Sequence, residues 1–121
     1  MNKVNFKKTT ILLSLSILTF SVNANILAKH DRLALQCHEL SQTVTSLISS
    51  QAKSICAEKL GEASMQIENA GYLILDYANS NAKKELEKAV YTLQYAELNS
   101  CNRYIQIAHS KFEANKIKSS L

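Results

Sequence analysis

Residues 54–78, SICAEKLGEASMQIENAGYLILDYA, carry the pattern that decides the fold. Their apolar side chains recur at alternating spacings of four and three, which places them on one face of an α-helix. We therefore predict a helix over residues 54–78, with Ser54 as its N-cap. Gly61 and Gly71 each cost this helix about 1 kcal/mol relative to alanine, and we interpret them as sites of close packing. The apolar face consists of Cys56, Leu60, Ala63, Ile67, Ala70, Ile74 and Tyr77.

The same alternation occurs on both sides of this helix. Upstream it predicts a helix over residues 25–48, and downstream a third helix that follows the turn residues 79–81. A fourth segment follows residues 99–102, either as a separate helix or as the bent end of the third. The predicted inner faces are Ile26, His30, Leu33, Cys37, Leu40, Val44 and Leu47 in the first helix, Leu86, Ala89, Val90, Leu93 and Ala96 in the third, and Cys101, Tyr104, Ile105, Ala108 and Phe112 in the last.

No stretch alternates with the period of two that is typical of a strand. The fold class predicted is therefore all-α, a small up-and-down bundle of three to four helices.

The first 24 residues have the order of a cleavable signal peptide. Three lysines, Lys3, Lys7 and Lys8, precede the apolar residues 11–22. This apolar run is shorter than the roughly 20 residues that a membrane span needs. We predict cleavage after Ala24, which divides the chain into a signal peptide, 1–24, and a helical bundle domain, 25–121. The protein is then exported through the inner membrane and is not an integral membrane protein.

Cleavage changes the charge of the protein. The whole chain has a formal net charge of +4, whereas residues 25–121 keep 11 basic and 10 acidic residues, a net charge of +1. Four basic residues and one acidic residue fall within 103–121, so this end carries +3 and residues 25–102 carry −2. A nearly neutral exported chain argues against a nucleic-acid partner. It retains a locally basic C-terminal helix.

Three cysteines lie in the exported part, where disulfides persist. In an antiparallel hairpin that turns near Ser80, Cys101 lies about 4.5 Å along the axis from the level of Cys56. Cys37 lies about 13 Å from Cys56 by the same reckoning. We predict a disulfide between Cys56 and Cys101, with Cys37 buried and free. Pairing of Cys37 with another chain is the alternative.

The sequence offers little for catalysis. His38 follows Cys37, but adjacent residues on a helix do not face one another. His109 and Glu113 are one helical turn apart, which favours a surface ion pair over a metal site because no second pair of ligands completes one. The chain contains no Cys-x-x-Cys, His-Glu-x-x-His or glycine-rich phosphate loop. We expect no enzymatic activity, no catalytic residues, no metal and no cofactor.

The third helix has a second face. Lys84, Lys88, Tyr91, Tyr95 and Leu98 cluster on its side away from the predicted core. Either this side packs on another helix, or it is an exposed surface of the kind enriched in recognition patches. Together with the basic C-terminal helix, such a surface suits an acidic protein or anionic lipid headgroups, at about 1 kcal/mol per basic residue. The candidate binding residues are Lys84, Lys88, Tyr91, Tyr95, Arg103, Lys111, Lys116 and Lys118.

The overall plan is a cleavable signal followed by a small helical domain rich in Asn, Ser, Lys and Ile. This plan resembles the small exported proteins that gram-negative intracellular pathogens release through type II secretion. The resemblance covers the architecture only, transfers no site residue, and implies a secreted, virulence-associated role in host interaction. We expect an exported bacterial binding protein that engages an anionic membrane surface or a host protein through its basic C-terminal helix. The alternative is a periplasmic chaperone or enzyme inhibitor retained in the envelope.

Overall fold

A computed structural model describes residues 25–121. The signal peptide and cleavage site expected at residues 1–24 lie outside the described residues. The chain divides into two units, residues 1–30 and 31–121. In the first unit the described residues are helical, and the His30 ring nitrogen Nδ1 lies 3.2 Å from the Ile26 carbonyl oxygen.

Four helices make up the described chain, and no strand occurs between residues 25 and 121. The all-α prediction is confirmed, and the third and fourth helices are separate. The helices are α1 over residues 25–46, α2 over Ser54–Leu75, α3 over Asn79–Leu98 and α4 over Tyr104–Ser119, with a short 3-10 turn at Ile48–Ser50. The predicted cap of α2 is wrong: Ser54 is the first helical residue, and the N-cap is Lys53, which makes no side-chain capping bond.

Side-chain contacts define the topology of the second unit. Helices α1 and α2 meet through the Ser41 and Ser64 hydroxyls, 3.0 Å apart. The Thr92 hydroxyl of α3 donates to the Gln66 side-chain oxygen of α2 at 3.1 Å. Because short connections join the helices and neighbouring helices are in contact, the unit is an all-α helical bundle.

The core is built from aliphatic and small residues. The predicted inner face of α3 is buried, apart from the partly buried Val90. In α1 the predicted face is buried from Leu33 onward, and Cys37 is a buried free thiol, as predicted. The largest fully buried side chains are Leu60, Ile67, Ile74, Leu86, Leu93 and Ile107.

The inner face predicted for the last helix is right for Cys101, which is buried, and wrong for Tyr104, Ile105 and Phe112. Tyr104, Ile105 and Phe112 are exposed, each by more than 60%. The residues that enter the core are instead Ile107, Ser110, Ala114 and Ile117. Apolar residues occur all round this helix, so its periodicity does not select a face, and the core accepts the side with the smaller side chains.

The end of α2 also differs from the prediction. The helix stops at Leu75, and Tyr77, expected on the inner face, is 55% exposed. Tyr77 has a φ of 59°, in the left-handed region, and the Ala78 N–H donates to the Leu73 carbonyl at 2.9 Å. This is the Schellman pattern, in which the left-handed position usually holds glycine. Ser100, with a φ of 59°, occupies the equivalent position after α3, because the Cys101 N–H donates to the Ala96 carbonyl.

The predicted disulfide is confirmed. Cys56 and Cys101 are bonded, with 5.6 Å between their Cα atoms, and both are buried. The bond joins the first turn of α2 to the loop between α3 and α4. Next to it, the Gln51 amide donates to the Asn102 carbonyl at 2.9 Å and its oxygen accepts the Asn102 N–H at 2.8 Å. Two loops are therefore fastened together at this end of the bundle.

The two glycines of α2 have different surroundings. A Cβ atom added at Gly71 would lie 3.1 Å from Cys37 Cβ and 3.3 Å from the Ala34 carbonyl oxygen. At Gly61 the nearest atom would be Ile48 Cδ1, at 3.9 Å. The interpretation as a close-packing site is therefore right for Gly71 and wrong for Gly61. Cys37 lies beside Gly71, about two turns beyond the level of residue 65 expected from the sequence.

Candidate recognition surface

The aromatic residues of the described chain all lie on its exterior. Each of the five tyrosines and one phenylalanine between residues 25 and 121 has more than two fifths of its surface exposed. Aromatic side chains usually contribute heavily to cores and interfaces, because each has a large apolar area to bury. The core formed by residues 25–121 contains none of these aromatic side chains. The residues are Tyr72, Tyr77, Tyr91, Tyr95, Tyr104 and Phe112.

The second face predicted for the third helix exists and is exposed. We call it the α3 stripe and define it as Lys84, Lys88, Tyr91, Tyr95 and Leu98. Its spacings of four and three repeat those of the core stripe, which consists of Ala82, Leu86, Ala89, Leu93 and Ala96. Each stripe residue stands two positions, or about 200°, from a core residue, so the two stripes lie on opposite sides of α3. Tyr91 is 65% and Leu98 is 73% exposed, so this face does not pack on another helix of the bundle.

Tyr95 is the least exposed of these aromatic residues, because a lysine side chain of α2 lies over its ring. The Lys59 ammonium lies 5.6 Å from the centroid of the Tyr95 ring, within the range of a cation–π contact. Lys59 also donates to Glu62 at 2.9 Å. The hydrogen bond and the charge of Glu62 raise the pKa of Lys59 above its usual value. A protonated Lys59 thus contacts the Tyr95 ring, and the remaining surface of the ring is accessible to solvent.

The basic candidate residues are not gathered into one patch. Lys88 pairs with Glu85 at 2.8 Å, and Lys111 pairs with Glu97 at 2.6 Å. The second pair is half-buried and joins α4 to α3, so Lys111 serves the packing of the bundle. Each of the two lysines already has a carboxylate beside it, which lowers its attraction for an external anion.

The remaining basic residues of α4 lie at its two ends. Arg103 is the N-cap, in the left-handed region, and Lys116 and Lys118 occupy the last turn, where cations favour the helix dipole. A helix of 16 residues is about 24 Å long, so the two ends are far apart compared with a Debye length of about 8 Å. The outward side of α4 between them carries Ile105 and Phe112, which are 66% and 61% exposed.

A groove between α1 and α2 was not predicted from the sequence. Ala34 and Gly71 line it where the helices approach closely, and this open groove has a volume of about 330 Å³. His38 and Glu68 also line it, and His38 Nδ1 lies 3.0 Å from a Glu68 carboxylate oxygen. The walls are formed by Leu35, Tyr72 and Leu75, and Asp31 also lines the groove. The one sequence signal for this groove was Gly71, which was interpreted as a site of close packing. The sequence did not indicate which helix packs against it.

Cys37 and His38 do not form a nucleophile and base. The Cys37 thiol is buried, and burial, followed by the charge of Glu68, raises its pKa to about 12. The His38 ring faces Glu68 and, through Nε2, the Gln42 amide at 3.2 Å. A thiol that stays protonated at neutral pH is a poor nucleophile and a poor metal ligand.

His109 and Glu113 line a shallow groove against α1. The ion pair expected between them does not form in this part of the chain. Among residues 25–121, no group of three or more His, Cys, Asp or Glu side chains is placed to hold a metal ion. Nor does any helix within that range combine the length and apolarity needed to cross a membrane. Comparison of the chain with models of protein families, with curated proteins and with solved structures gave no match.

Proposed function

We propose that the protein is an exported binding protein that engages a protein partner through the α3 stripe. The observation that carries the proposal is the exposure of Tyr91, Tyr95 and Leu98 on the side of α3 opposite the core. Tyrosine is well suited to recognition because it offers a large apolar area, a polar tip and only two side-chain torsions to immobilise.

The energetics of the fold favour a role in recognition for this stripe. The core contains no aromatic residue within 25–121, so the exposed rings contribute little to the stability of the bundle. An apolar set that is aligned on one helix face and left in water gains free energy when a partner covers it, at about 25 cal/mol per Å². Scattered apolar residues on a surface are ordinary, whereas three in consecutive positions of one stripe form a contiguous patch.

A protein partner is favoured over an anionic membrane by the placement of charge. Lys88 and Lys111 are each paired with a carboxylate, and Arg103 is at the opposite end of α4 from Lys118. Binding of a lipid surface needs several basic residues close together, at about 1 kcal/mol each. The second half of the α3 stripe, Tyr91, Tyr95 and Leu98, has the aromatic and apolar composition typical of the core of a protein interface.

Export is proposed from the N-terminal 24 residues together with the disulfide. The Cys56–Cys101 bond is buried in the bundle, and such bonds persist in oxidising compartments. Fractionation of cells into cytoplasm, periplasm and medium tests this part of the proposal. Recovery from the medium supports a secreted protein, recovery from the periplasm alone supports the envelope chaperone or inhibitor, and recovery of an unprocessed chain in the cytoplasm contradicts export.

Photo-crosslinking tests the binding surface. A photoreactive phenylalanine analogue placed at Tyr91 should capture one discrete protein product, identified by mass spectrometry. The matched control is the same analogue at Tyr72, which is exposed to a similar degree on α2. We expect the product from position 91 alone, and its loss when Leu98→Ala is added. Equal products from both positions, or none from position 91, would contradict the proposal, and capture of lipid at position 91 would transfer the function to a membrane surface.

A further inference from the structure

We infer that the partner at the α3 stripe is a second copy of this chain, packed antiparallel against it about a two-fold axis. This inference rests on the proposed function, because it takes the α3 stripe as the binding surface and names what binds there.

The spacing of the stripe is that of a coiled-coil seam. Successive gaps of four, three, four and three residues are those of alternating d and a positions over two heptads. A helix with such a seam packs favourably on a second helix with the same seam, because each side chain enters a gap between residues of the other. A second copy of α3 offers this match without any further assumption.

The order of residues within the stripe selects the antiparallel arrangement. The lysines occupy its first half, and the apolar residues occupy its second half. With the two-fold axis midway between Tyr91 and Tyr95, Tyr91 of one copy faces Tyr95 of the partner subunit, and Lys88 faces Leu98 of the partner subunit. Two layers of tyrosine then form the centre of the interface, and the long aliphatic stem of each Lys88 covers the partner's leucine.

The positions of the two lysines favour the same direction. In a parallel pair, Lys84 and Lys88 would each lie against their own copies, and like charges in contact disfavour association. In the antiparallel pair the two copies of Lys84 are about 27 Å apart along the axis, well beyond a Debye length of about 8 Å. The last turn of α3 contains no basic residue. The antiparallel arrangement supplies one, because the partner's Lys88 approaches the negative end of the helix dipole.

The size of the interface sets the expected affinity. A single helix face of five residues buries on the order of 800 Å² in total, less than the 1,200 Å² or more of most stable complexes. We therefore expect a reversible dimer with a dissociation constant in the micromolar range or weaker. The outward faces of α2 and α4 take no part, so Tyr72 and Phe112 stay available for other contacts.

Sedimentation velocity across a wide range of concentrations tests the inference. The chain is expressed from its full sequence and purified in the form that the cell produces. We expect a monomer that converts to a dimer as its concentration rises. Tyr91→Lys should raise the dissociation constant at least tenfold, whereas the matched control Tyr72→Lys should leave it unchanged. A monomer at every concentration, or equal effects of the two substitutions, would overturn the inference.

A distance measurement tests the orientation. A spin label on Lys84→Cys reports the separation of the two copies, and the buried Cys37 thiol resists labelling. The antiparallel dimer predicts a separation of about 27 Å, and a parallel dimer predicts about 10 Å. The shorter distance would overturn the proposed arrangement. If the chain is monomeric while position 91 still crosslinks a different protein, self-association is wrong and the proposed function stands; if position 91 captures nothing, both fail.

Discussion

The two glycines of α2 should respond in opposite directions to the same substitution. Within a helix, alanine is about 0.8–1 kcal/mol more favourable than glycine, provided that the new methyl group has room. At Gly61 the methyl group would meet only Ile48 Cδ1, at the ordinary contact distance of 3.9 Å. Gly61→Ala should therefore raise the free energy of unfolding by about 1 kcal/mol.

Gly71→Ala should lower that free energy. Its methyl group would lie 3.1 Å from Cys37 Cβ and 3.3 Å from the Ala34 carbonyl oxygen, so a backbone group of α1 would have to move. Overpacking of this kind costs about 1–3 kcal/mol, which exceeds the gain in helix propensity. The net loss is up to about 2 kcal/mol, so the two variants should differ by about 1–3 kcal/mol.

Urea denaturation followed by far-ultraviolet circular dichroism measures both variants with the disulfide intact. A shift of the midpoint at constant slope reports a change in stability, whereas a change in slope indicates an altered denatured state or loss of two-state behaviour. The two positions control for each other, because they are in the same helix and undergo the same chemical change. If Gly71→Ala gains as much as Gly61→Ala, then α1 and α2 do not approach as closely as described.

Four further predictions concern single features of the bundle. Replacing both Cys56 and Cys101 by alanine should lower the free energy of unfolding by about 4 kcal/mol in urea denaturation, because the bond closes a loop over a sequence separation of 45; a loss below about 1 kcal/mol would contradict the chain-entropy account. Ser100→Gly should raise the thermal midpoint by a few degrees, because glycine accepts the φ of 59° without strain, and an unchanged or lower midpoint would oppose this. Ser110→Ala should stabilise the fold by about 1 kcal/mol, because the buried Ser110 hydroxyl has no hydrogen-bond partner among residues 25–121, whereas the control Ser64→Ala should destabilise it by breaking the bonds to Ser41 and Thr45. The Cys37 thiol should react with a thiol reagent only after unfolding. Burial, followed by the charge of Glu68, raises the pKa of this thiol from its ordinary value of 9.0 to about 12, so the unfolded chain loses the proton first as the pH rises. The free energy of unfolding should therefore decline through that interval, by up to about 1.4 kcal/mol per pH unit, and Cys37→Ala should remove this contribution to the slope.

The sequence predicted those parts of the fold that one periodicity determines. In α2 and α3 the alternation of four and three selects a single apolar face, and both faces are buried apart from Tyr77 and the partly buried Val90. The disulfide followed from the same pattern, because the helical rise and the position of a turn fix which residues of a hairpin lie at one level. The register between α1 and α2 was wrong, because that connection contains a 3-10 turn that the sequence does not reveal.

The remaining differences between the predictions and the structure arise from features that the spacing of apolar residues does not report. In α4 apolar residues occur on every side, so the pattern does not select a face, and packing volume decides which side enters a core already formed by three helices. Tyr77 takes a left-handed conformation normally reserved for glycine, because the end of α2 forms a Schellman turn. The exposure of the α3 stripe depends on the absence of a fifth helix beside it within 25–121, which only the tertiary structure shows.

The placement of the aromatic rings also determines how this protein can be observed in solution. It has no tryptophan, and all five tyrosines are exposed. Their fluorescence and near-ultraviolet absorption should change little when the bundle unfolds, because the rings are in contact with water in both states. The same emission should change when Tyr91 and Tyr95 are covered. Intrinsic fluorescence would thus report association almost without interference from folding, so a titration can be followed on the unlabelled protein.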